Sequence, residues 1–208
     1  MKPLVSIIIP YLEDRGWLNE AVRSVEKQTF RNFELILSKG NKHRGGNVNS
    51  GIIKSRGKFI KLLDEDDMLM PECLELSMKV FHSWIMKRVY FIHANACYFN
   101  TTTNQSYIYH PEVKLPEFND LIRKNVICNA TVMYRREMFH KIGLFDESLY
   151  RSEDFDMHLR ALKHGCRIGY VNKEIVWYRL HDKQVSVGKD VDLKKRAEIR
   201  KLIISKYL

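Results

Sequence analysis

Residues 59–67, FIKLLDEDD, pass from a nearly continuous apolar run into four consecutive acidic side chains. A short apolar run of this kind is typical of a buried strand in an α/β sheet. When such a strand ends in carboxylates, negative charge lies at the carboxyl edge of the sheet, where open α/β sheets bind ligands. The stretch therefore predicts an α/β fold with a ligand site directly after this strand. The alternative is a solvated acidic turn before the helix that starts near Pro71.

The four acids, Asp64, Glu65, Asp66 and Asp67, have the chemistry of a cation site. Crowded carboxylates raise one another's pKa unless a cation joins them. Mg²⁺ and Mn²⁺ prefer oxygen ligands, take one or two protein carboxylates, and fill their remaining positions with water and substrate phosphates. We therefore expect Mn²⁺ or Mg²⁺ to bind here together with a diphosphate. For Asp67, capping of the following helix is the alternative.

Helices and strands alternate around the acidic cluster, which predicts a doubly wound α/β sheet. Before the cluster, the pattern predicts a buried strand over 4–9 stopped by Pro10, a helix over 17–25, a strand over 33–37, a polar loop over 38–49, and a short helix stopping near Gly57. After it, the pattern predicts helices over 71–86, 115–124, 136–142, 153–164 and 192–208, and strands over 89–99, 131–134 and 175–179.

The composition fits one folded domain of 208 residues, with a net charge of +10 and a pI near 9.4. Such an excess of basic residues fits nucleic acid, an anionic membrane surface or a phosphorylated substrate. No nucleic-acid-binding motif accompanies the charge, so we expect no nucleic-acid partner. The four cysteines lie far apart in sequence and form no C-x-x-C pair, which favours reduced thiols over zinc or redox chemistry.

Membrane association is expected to be peripheral at most. No apolar run approaches the roughly 20 residues that a membrane span needs. The apolar N-terminal run is too short for a signal peptide and lacks a cleavage site. We expect a cytoplasmic protein that is soluble or peripherally membrane-associated and is not secreted. The basic tail over 192–208 is predicted as a surface helix that docks on the domain through Leu193, Ala197, Leu202 and Ile203. Attraction of its basic residues to anionic lipid is the alternative.

Five ordered motifs give the chain its resemblance to a known family. They are VSIIIP at 5–10, the stretch from Ala21 through QTF at 28–30 to NFELI at 32–36, NSGI and GKFI before the acids, GLFDE with SEDFD at 143–156, and YRLH at 178–181. Together they resemble the family 2 glycosyltransferases of the GT-A fold over nearly the whole chain. The resemblance implies a Rossmann-like, mostly parallel sheet flanked by helices, with a smaller acceptor-side sheet region.

The resemblance also implies one glycosyltransferase domain over 1–208, with a nucleotide-sugar half over about 1–93 and an acceptor half over about 94–208. The activity implied is metal-dependent, inverting transfer of a hexose from a UDP-sugar, with UDP-glucose as the first candidate, to a hydroxyl of a glycan or glycoconjugate. The donor-binding residues it implies are Pro10, Tyr11, Glu13, Ser38, Arg44, Asn49, Asp64, Glu65 and Asp66.

Base recognition is expected to differ from the family pattern. The family carries an Asp pair after the second strand, where this chain reads Ser38-Lys39-Gly40-Asn41. A carboxylate there usually contacts the nucleotide base, so Ser38 or backbone groups are expected to replace it. The metal ligand is expected to be Asp66 first, with Asp64 on the ribose or supporting the metal. If the segment stays extended, their spacing places both side chains on one side.

The acceptor half supplies the remaining candidates. Asp154, at the start of the predicted helix over 153–164, matches the family's catalytic base, while complementing the helix dipole is the alternative. Glu153 and Trp177 are placed on the acceptor side, although a core position is the simpler reading of Trp177, as it is of Trp17 and Trp84. His181 matches a family position near the diphosphate and metal. For Arg179, contact with the diphosphate and packing beneath it are both open. Asp156 and Arg160, four residues apart on a helix, are expected to form an ion pair.

Two other classes of protein fit parts of the pattern. Sugar-1-phosphate nucleotidyltransferases share a similar fold but carry a Gly-rich, Arg-containing loop after the first strand, where this chain has Pro10-Tyr11-Leu12-Glu13. An inactive sugar-nucleotide-binding module is compatible with the altered Ser38-Lys39 position. The presence of Asp64, Asp66 and Asp154 favours an active enzyme.

Overall fold

The computed structural model describes residues 2–40, 43–83, 89–182, 184 and 193–208. In these residues the strands are β1 Val5–Tyr11, β2 Phe33–Lys39, β3 Phe59–Leu62, β4 Met68–Leu69, β5 Val89–Asn100, β6 Ser106–Tyr109, β7 Met133–Arg135 and β8 Arg167–Leu180. The helices are α1 Leu18–Glu26, α2 Arg44–Lys54, α3 Cys73–His82, α4 Phe118–Arg123, α5 Arg136–Ile142, α6 Glu153–Lys163 and α7 Leu193–Ser205, with a 3₁₀ turn at Asn129–Thr131.

All eight described strands form one sheet in the order β2-β1-β3-β7-β5-β8-β4, with β6 beside β5. The pairs β1/β2, β1/β3 and β5/β8 are parallel. The other pairs are antiparallel. β7 runs opposite to both β3 and β5, β4 runs opposite to β8, and β6 runs opposite to β5. The α/β fold class is confirmed. The sheet is mixed rather than mostly parallel, with one parallel part formed by the β-α-β alternation of the first three strands and another formed by β5 and β8.

The core has two layers, one on each face of the sheet. Ile8 of β1 packs into the layer beneath α2, α4, α5, α6 and α7. Ile7 and Ile9 pack into the opposite layer beneath α1 and α3. Because β1 is covered on both faces, its sequence is apolar nearly throughout instead of alternating.

The prediction of a loop over 38–49 is wrong, because α2 begins at Arg44. Gly51, which follows the predicted loop, lets this helix approach the sheet closely. A Cβ atom on Gly51 would lie 2.4 Å from Cγ2 of Ile8. Close packing against β1 thus outweighs the low helix propensity of glycine.

Gly57 was also predicted to stop this helix, and that prediction is wrong. The helix ends at Lys54 and Ser55 already has extended backbone. Gly57 instead lies against β1, where an added Cβ would come within 2.5 Å of the Ser6 backbone nitrogen. Its role is therefore close contact between neighbouring strands.

Pro10 does not end β1, since the strand continues to Tyr11. The Ile8 carbonyl accepts a hydrogen bond from Leu63 on the β3 side, and Pro10 faces the same way as Ile8. β3 ends at Leu62, so no partner there requires the missing Pro10 N–H. Proline is tolerated in a strand at such a position.

Several predicted helices and strands differ only in length. The helix predicted from Pro71 starts at Cys73 and ends at His82, and the predicted Met86 end lies outside the described residues, as do Trp84 and Asp192. The helix over 115–124 is reduced to α4. Gly143 ends α5 with φ of +83°, as predicted. The strand over 175–179 is the last part of the longer β8.

The C-terminal helix docks on the domain through a different face from the one predicted. Ile203 is buried, while Leu193 and Leu202, also expected to dock, are exposed. The Arg200 guanidinium donates to the Leu121 carbonyl at 3.0 Å, and the Tyr207 hydroxyl donates to Asp156 at 2.8 Å. The membrane alternative for this helix stays a prediction.

Candidate active site

The acidic cluster forms a tight turn at the carboxyl end of β3. The Asp67 N–H donates to the Asp64 carbonyl at 3.1 Å, and the chain then enters β4. β4 pairs with β8, with Met68 opposite Trp177. This pairing brings the turn next to the end of β8.

Asp66 and His181 meet at this edge. Nε2 of His181 lies 3.0 Å from Oδ2 of Asp66. The imidazole is nearly buried and packs against the Trp17 ring, with centroids 4.3 Å apart. Its Nδ1 has no hydrogen-bond partner among the residues that the structure describes. Two residues predicted for the metal side are thus in direct contact, although 115 positions separate them in sequence.

Arg44 connects the acidic turn to the start of α6. Its Nε lies 2.6 Å from Oδ1 of Asp64, and its Nη1 lies 3.0 Å from Oε1 of Glu153. Burial opposes the charge of the guanidinium, but the two carboxylates hold the pKa of Arg44 well above its usual value. Burial raises the pKa of Asp64, and Arg44 partly offsets that rise. The ion pairs draw the donor edge and the acceptor side together.

Asp154 lies beside this bridge, at the start of α6. Ser152, the residue before the helix, has left-handed backbone with φ of +60°. Asp154 is half-buried, and its Oδ1 accepts a hydrogen bond from the Phe155 N–H at 2.8 Å. It is close enough to raise the pKa of Asp64 electrostatically. The predicted base therefore lies near the predicted metal residues.

The other two acids in the first turn of α6, Glu153 and Asp156, form ion pairs that stabilise the fold. Glu153 is buried, and burial raises its pKa against the effect of Arg44. Asp156 is 2% exposed and forms the predicted ion pair with Arg160, at 3.4 Å. Asp156 also contacts Lys206 and Tyr207 beyond α7. Of the three acids in this first turn, Asp154 is the most exposed to solvent.

The residues predicted for donor binding on β1 and β2 lie close to one another. Pro10 is buried, Tyr11 is half-buried, and Glu13 is exposed in the loop after β1. Ser38 is buried and its hydroxyl donates to the Asn47 carbonyl at 2.7 Å. The Tyr11 carbonyl accepts from the Asn47 amide at 3.2 Å.

The side chain of Asn49 forms its hydrogen bonds with the loop before α6. Its amide donates to the Phe145 carbonyl at 2.9 Å, and its oxygen accepts from the Phe145 N–H at 3.0 Å. The amide also donates to Oε1 of Glu147 at 3.0 Å. These bonds give Asn49 a role in joining α2 to the loop before α6, and its predicted contact with the nucleotide stays a prediction.

Asp67 is not a helix cap, which was the alternative considered for it. It is 1% exposed, and its Oδ1 accepts a hydrogen bond from the Arg179 N–H at 2.9 Å. Burial, together with Asp66 and Asp64, raises the pKa of Asp67 well above its usual value. α3 begins only at Cys73, so the Asp67 side chain instead fastens the acidic turn to β8.

Arg179 contacts both sides of the acidic turn. Its Nε donates to the Asp66 carbonyl at 2.8 Å, and its Nη2 contacts Glu20 at 2.5 Å. The guanidinium lies over two rings, 5.5 Å from the Trp17 centroid and 4.7 Å from the Phe99 centroid. These contacts favour a packing role beneath the turn over direct contact with a diphosphate, the two possibilities open for this residue.

Two residues near the site were not identified from sequence. Trp17 was expected in the core, but it is half-buried against His181 and Arg179. Because Trp17 shares helical spacing with the apolar residues of α1, the sequence indicated a core position instead. Arg15, from the loop after β1, lies 3.6 Å from Glu65. No signal in the sequence marked it, because isolated arginines in polar loops are common.

Glu65 is a partly buried acid of the turn whose ionisation is disfavoured. Burial raises its pKa to about 7, with Asp66, Asp14 and Asp64 adding to the rise and Arg15 opposing it. Its Oε2 has no hydrogen-bond partner in the described part of the chain. Ionised Glu65 therefore costs folding free energy.

The substitution Glu65→Gln is expected to stabilise the protein at alkaline pH but not in acid. The folded pKa of about 7 exceeds the unfolded value, so the stability linked to protonated Glu65 is complete below pH ~4.5 and is lost as the pH rises through about 7. Thermal unfolding of both proteins without added metal, from pH 5 to 8, measures this. The variant's advantage in Tm should be near zero at pH 5 and should grow toward pH 8. A constant difference across this range would contradict the assignment.

The turn fits a divalent cation that receives much of its coordination from a ligand. Within the described residues, no group of three or more His, Cys, Asp or Glu side chains is arranged to hold a metal ion. Asp66 and Asp64 can nevertheless supply the one or two carboxylates that Mg²⁺ or Mn²⁺ takes when it binds together with phosphates. A cation would also relieve the mutual repulsion that raises the pKa of Asp64.

Comparison with known proteins identifies the family. The sequence profile described as glycosyltransferase-like family 2 matches residues 20–197. The chain belongs to this family, as its motifs predicted. It is 24% identical over 213 residues to an uncharacterized glycosyltransferase of Methanocaldococcus jannaschii, covering 86% of this chain and 71% of that protein. It is 26% identical over 212 residues to an uncharacterized glycosyltransferase of Rickettsia prowazekii, covering 88% of this chain and 66% of that protein.

The fold is similar to that of TarS from S. aureus. The crystal structure of TarS 1-349 in complex with UDP-GlcNAc superposes with a TM-score of 0.71 at 16% identity, covering 99% of this chain and 66% of that chain. Its complex with UDP gives a TM-score of 0.66 at 15% identity, covering 99% of this chain and 71% of that chain. The GT-A fold is thereby confirmed. This chain spans about two thirds of the length of these relatives and neighbours.

None of the helices in the described residues is long and apolar enough to cross a membrane.

Proposed function

We propose that this protein is a metal-dependent, inverting glycosyltransferase that moves a hexose from a UDP-sugar to a hydroxyl of a glycan or glycoconjugate. UDP-glucose is the first donor to test. The observation that carries the proposal is the Arg44 bridge, which joins Asp64 on the donor edge to Glu153 next to Asp154. One arginine thus holds a donor-side acid close to the residue next to the candidate base.

The donor side would hold the diphosphate at the acidic turn. Glycosyl transfer breaks the bond between the anomeric carbon and the diphosphate, and negative charge builds up on the leaving oxygens. Mn²⁺ or Mg²⁺, when bound, neutralises part of that charge. Asp66 would be the main protein ligand, with Asp64 on the ribose or the metal. His181 would orient Asp66 through the 3.0 Å contact, or would itself face the metal.

The acceptor side would supply the base. The attacking hydroxyl must lose a proton as it forms the new bond, and a carboxylate on the face opposite the diphosphate can accept it. Asp154 is half-buried at the start of α6 and is the best-placed acid for this role. Glu153 is committed to Arg44 and would position the helix start. Direct displacement of this kind inverts the anomeric centre.

Uridine is supported by the family and by the UDP complexes of TarS. In this chain the place of the family's base-binding carboxylate is taken by Ser38, whose hydroxyl already donates to Asn47. The Ser38 oxygen can still accept a hydrogen bond from a base N–H. Backbone groups near Tyr11 and Gly40 would supply the remaining contacts.

Calorimetric titration tests the donor assignment. With Mn²⁺ present, UDP is expected to bind at least about tenfold more tightly than GDP, CDP or TDP, which corresponds to about 1.4 kcal/mol. The physical reason is that guanine and cytosine have a different hydrogen-bonding pattern from uracil and leave groups of the pocket unpaired. Thymine shares the pattern of uracil, and its C5 methyl group needs space that a pocket built for uracil does not provide. Tighter binding of GDP or TDP than of UDP would overturn the uridine assignment. Donor hydrolysis in the same preparations separates an active enzyme from an inactive binding module.

A further inference from the structure

A cleft of 430 Å³ opens beside the acidic turn. Its floor includes Phe99, Trp177 and Arg179, and one side is the turn between β5 and β6. Met68, which also lines the cleft, is two residues after Asp66 in sequence and pairs with Trp177. The cleft therefore lies next to the proposed metal–diphosphate site and is distinct from the nucleotide-binding ends of β1 and β2.

Strand alternation explains why this cleft is aromatic. β5 and β8 are parallel neighbours, with Phe99 opposite Arg179 and Cys97 opposite Trp177. Because side chains alternate between faces, Phe99, Trp177 and Arg179 share one face of the sheet. Tyr98 lies on the other face, where it packs against Tyr178 with centroids 4.5 Å apart. The cleft thus has its own aromatic surface, separate from the tyrosine cluster behind it.

Trp177 presents its ring to solvent in a fixed position. It is 38% exposed, and Phe99 meets it edge to face with centroids 6.1 Å apart and planes at 85°. Phe99 is itself held beneath the Arg179 guanidinium. An exposed tryptophan supported in this way offers a rigid apolar plane at low entropic cost. It is a surface on which the apolar face of a sugar ring can stack.

The rim of the cleft is polar and mostly uncharged. Asn100, Asn104 and Gln105 line it together with hydroxyl side chains from the same turn. The turn is well defined, because Asn100 Oδ1 accepts from the Thr102 and Thr103 N–H groups and Asn104 adopts left-handed backbone with φ of +55°. Amides and hydroxyls both donate and accept, which matches the hydroxyl groups of a neutral sugar.

Charge argues against an anionic or a peptide ligand. Among the described residues that line the cleft, only Arg179 carries a charge, and it is committed to Glu20 and the Asp66 carbonyl. A site for phosphate or carboxylate would need further cations. An apolar plane with a few convergent polar groups is instead typical of a site for a small organic ligand.

We propose that this cleft is a carbohydrate-binding subsite for the acceptor, in which the Trp177 ring stacks on one sugar and Asn104 and Gln105 hydrogen-bond its hydroxyls. The role as acceptor subsite rests on the proposed function, whereas sugar binding itself does not. The subsite would fix the acceptor glycan at a distance from the attacking hydroxyl, so its loss should affect acceptor binding and not donor binding.

Saturation-transfer NMR on the full chain without donor tests the subsite. The probes are neutral di- to tetrasaccharides built from glucose, galactose and N-acetylglucosamine. At least one is expected to bind, and Trp177→Ala should weaken that binding by about tenfold or more because the stacking plane is removed. Tyr107→Ala is the matched control. Tyr107 is 57% exposed on the same hairpin and does not line the cleft, so its loss should leave binding unchanged.

Calorimetry with UDP and Mn²⁺ on the same proteins separates this proposal from the proposed function. Trp177→Ala should bind UDP as the wild-type protein does, which also shows that the variant is folded. If the wild-type protein does not bind UDP but does bind a sugar probe, the proposed enzymatic function is wrong and the proposed sugar site stands. The subsite is overturned if no probe binds the wild-type protein, or if Trp177→Ala and Tyr107→Ala bind alike.

Discussion

Asp154→Asn should reduce glycosyl transfer by about 10²–10⁴-fold, the usual cost of losing a general base. The amide is nearly isosteric but cannot accept the proton of the attacking hydroxyl. Asp66 and His181 are untouched, so the affinity for UDP with Mn²⁺ should be nearly unchanged. Initial rates with saturating donor, together with calorimetry, measure both quantities. The product anomer, read by NMR, should be inverted relative to the donor.

The control must separate catalysis from the helix dipole, since an acid in a first helical turn stabilises the helix in either case. Glu137 is an exposed acid in the first turn of α5. Glu137→Gln removes the same kind of dipole interaction without approaching the cleft, and it should leave transfer intact. Retention of configuration, or near-normal transfer by Asp154→Asn, would show that Asp154 is not the base.

The sequence predicted those strands and helices whose formation depends on the local pattern of apolar and polar residues. The apolar run before the acids gave β3, and helical spacing gave α1 and α6 close to their observed bounds. Only the part of α2 after Asn49 was predicted, because Gly45 and Gly46 in its first turn carry low helix propensity. Glycine is favourable at Gly51, where an added Cβ would lie 2.4 Å from Ile8 of β1. Such an effect belongs to packing and leaves no periodic signal.

Contacts across the site were harder to predict than its members. Asp64, Asp66, Asp154 and His181 were all identified by type and motif, but nothing in the sequence indicated that Arg44 bridges residues 20 and 109 positions away. Basic residues in a polar, Gly-rich segment are usually solvated. The bridge exists because α2 starts at Arg44 and points its first turn toward the carboxyl ends of β1 and β3. The position of the Arg44 bridge therefore depends on the first turn of α2, which the sequence did not predict.

Asp66→Ala is expected to abolish metal-dependent binding of the nucleotide diphosphate. Loss of an outer-shell partner typically costs 10–100-fold in metal affinity, and loss of the main carboxylate should cost at least about 100-fold. His181 would also lose its 3.0 Å partner, which removes the orientation of the imidazole. Calorimetry with UDP and Mn²⁺ measures the loss, and chelation of the wild-type protein should abolish transfer until Mn²⁺ or Mg²⁺ is restored.

Glu72→Ala is the matched control for this loss, because Glu72 is an exposed acid just beyond the same turn and pairs with Lys173 at 3.0 Å. Removing it changes the net charge by the same amount but leaves the edge of the sheet intact, so UDP and Mn²⁺ should bind normally. A general electrostatic effect of the acidic segment would weaken both variants, whereas a metal ligand weakens only Asp66→Ala. Full transfer by the wild-type protein in excess chelator would exclude the metal, and the cluster would then act on the donor through Arg44, His181 and hydrogen bonds alone.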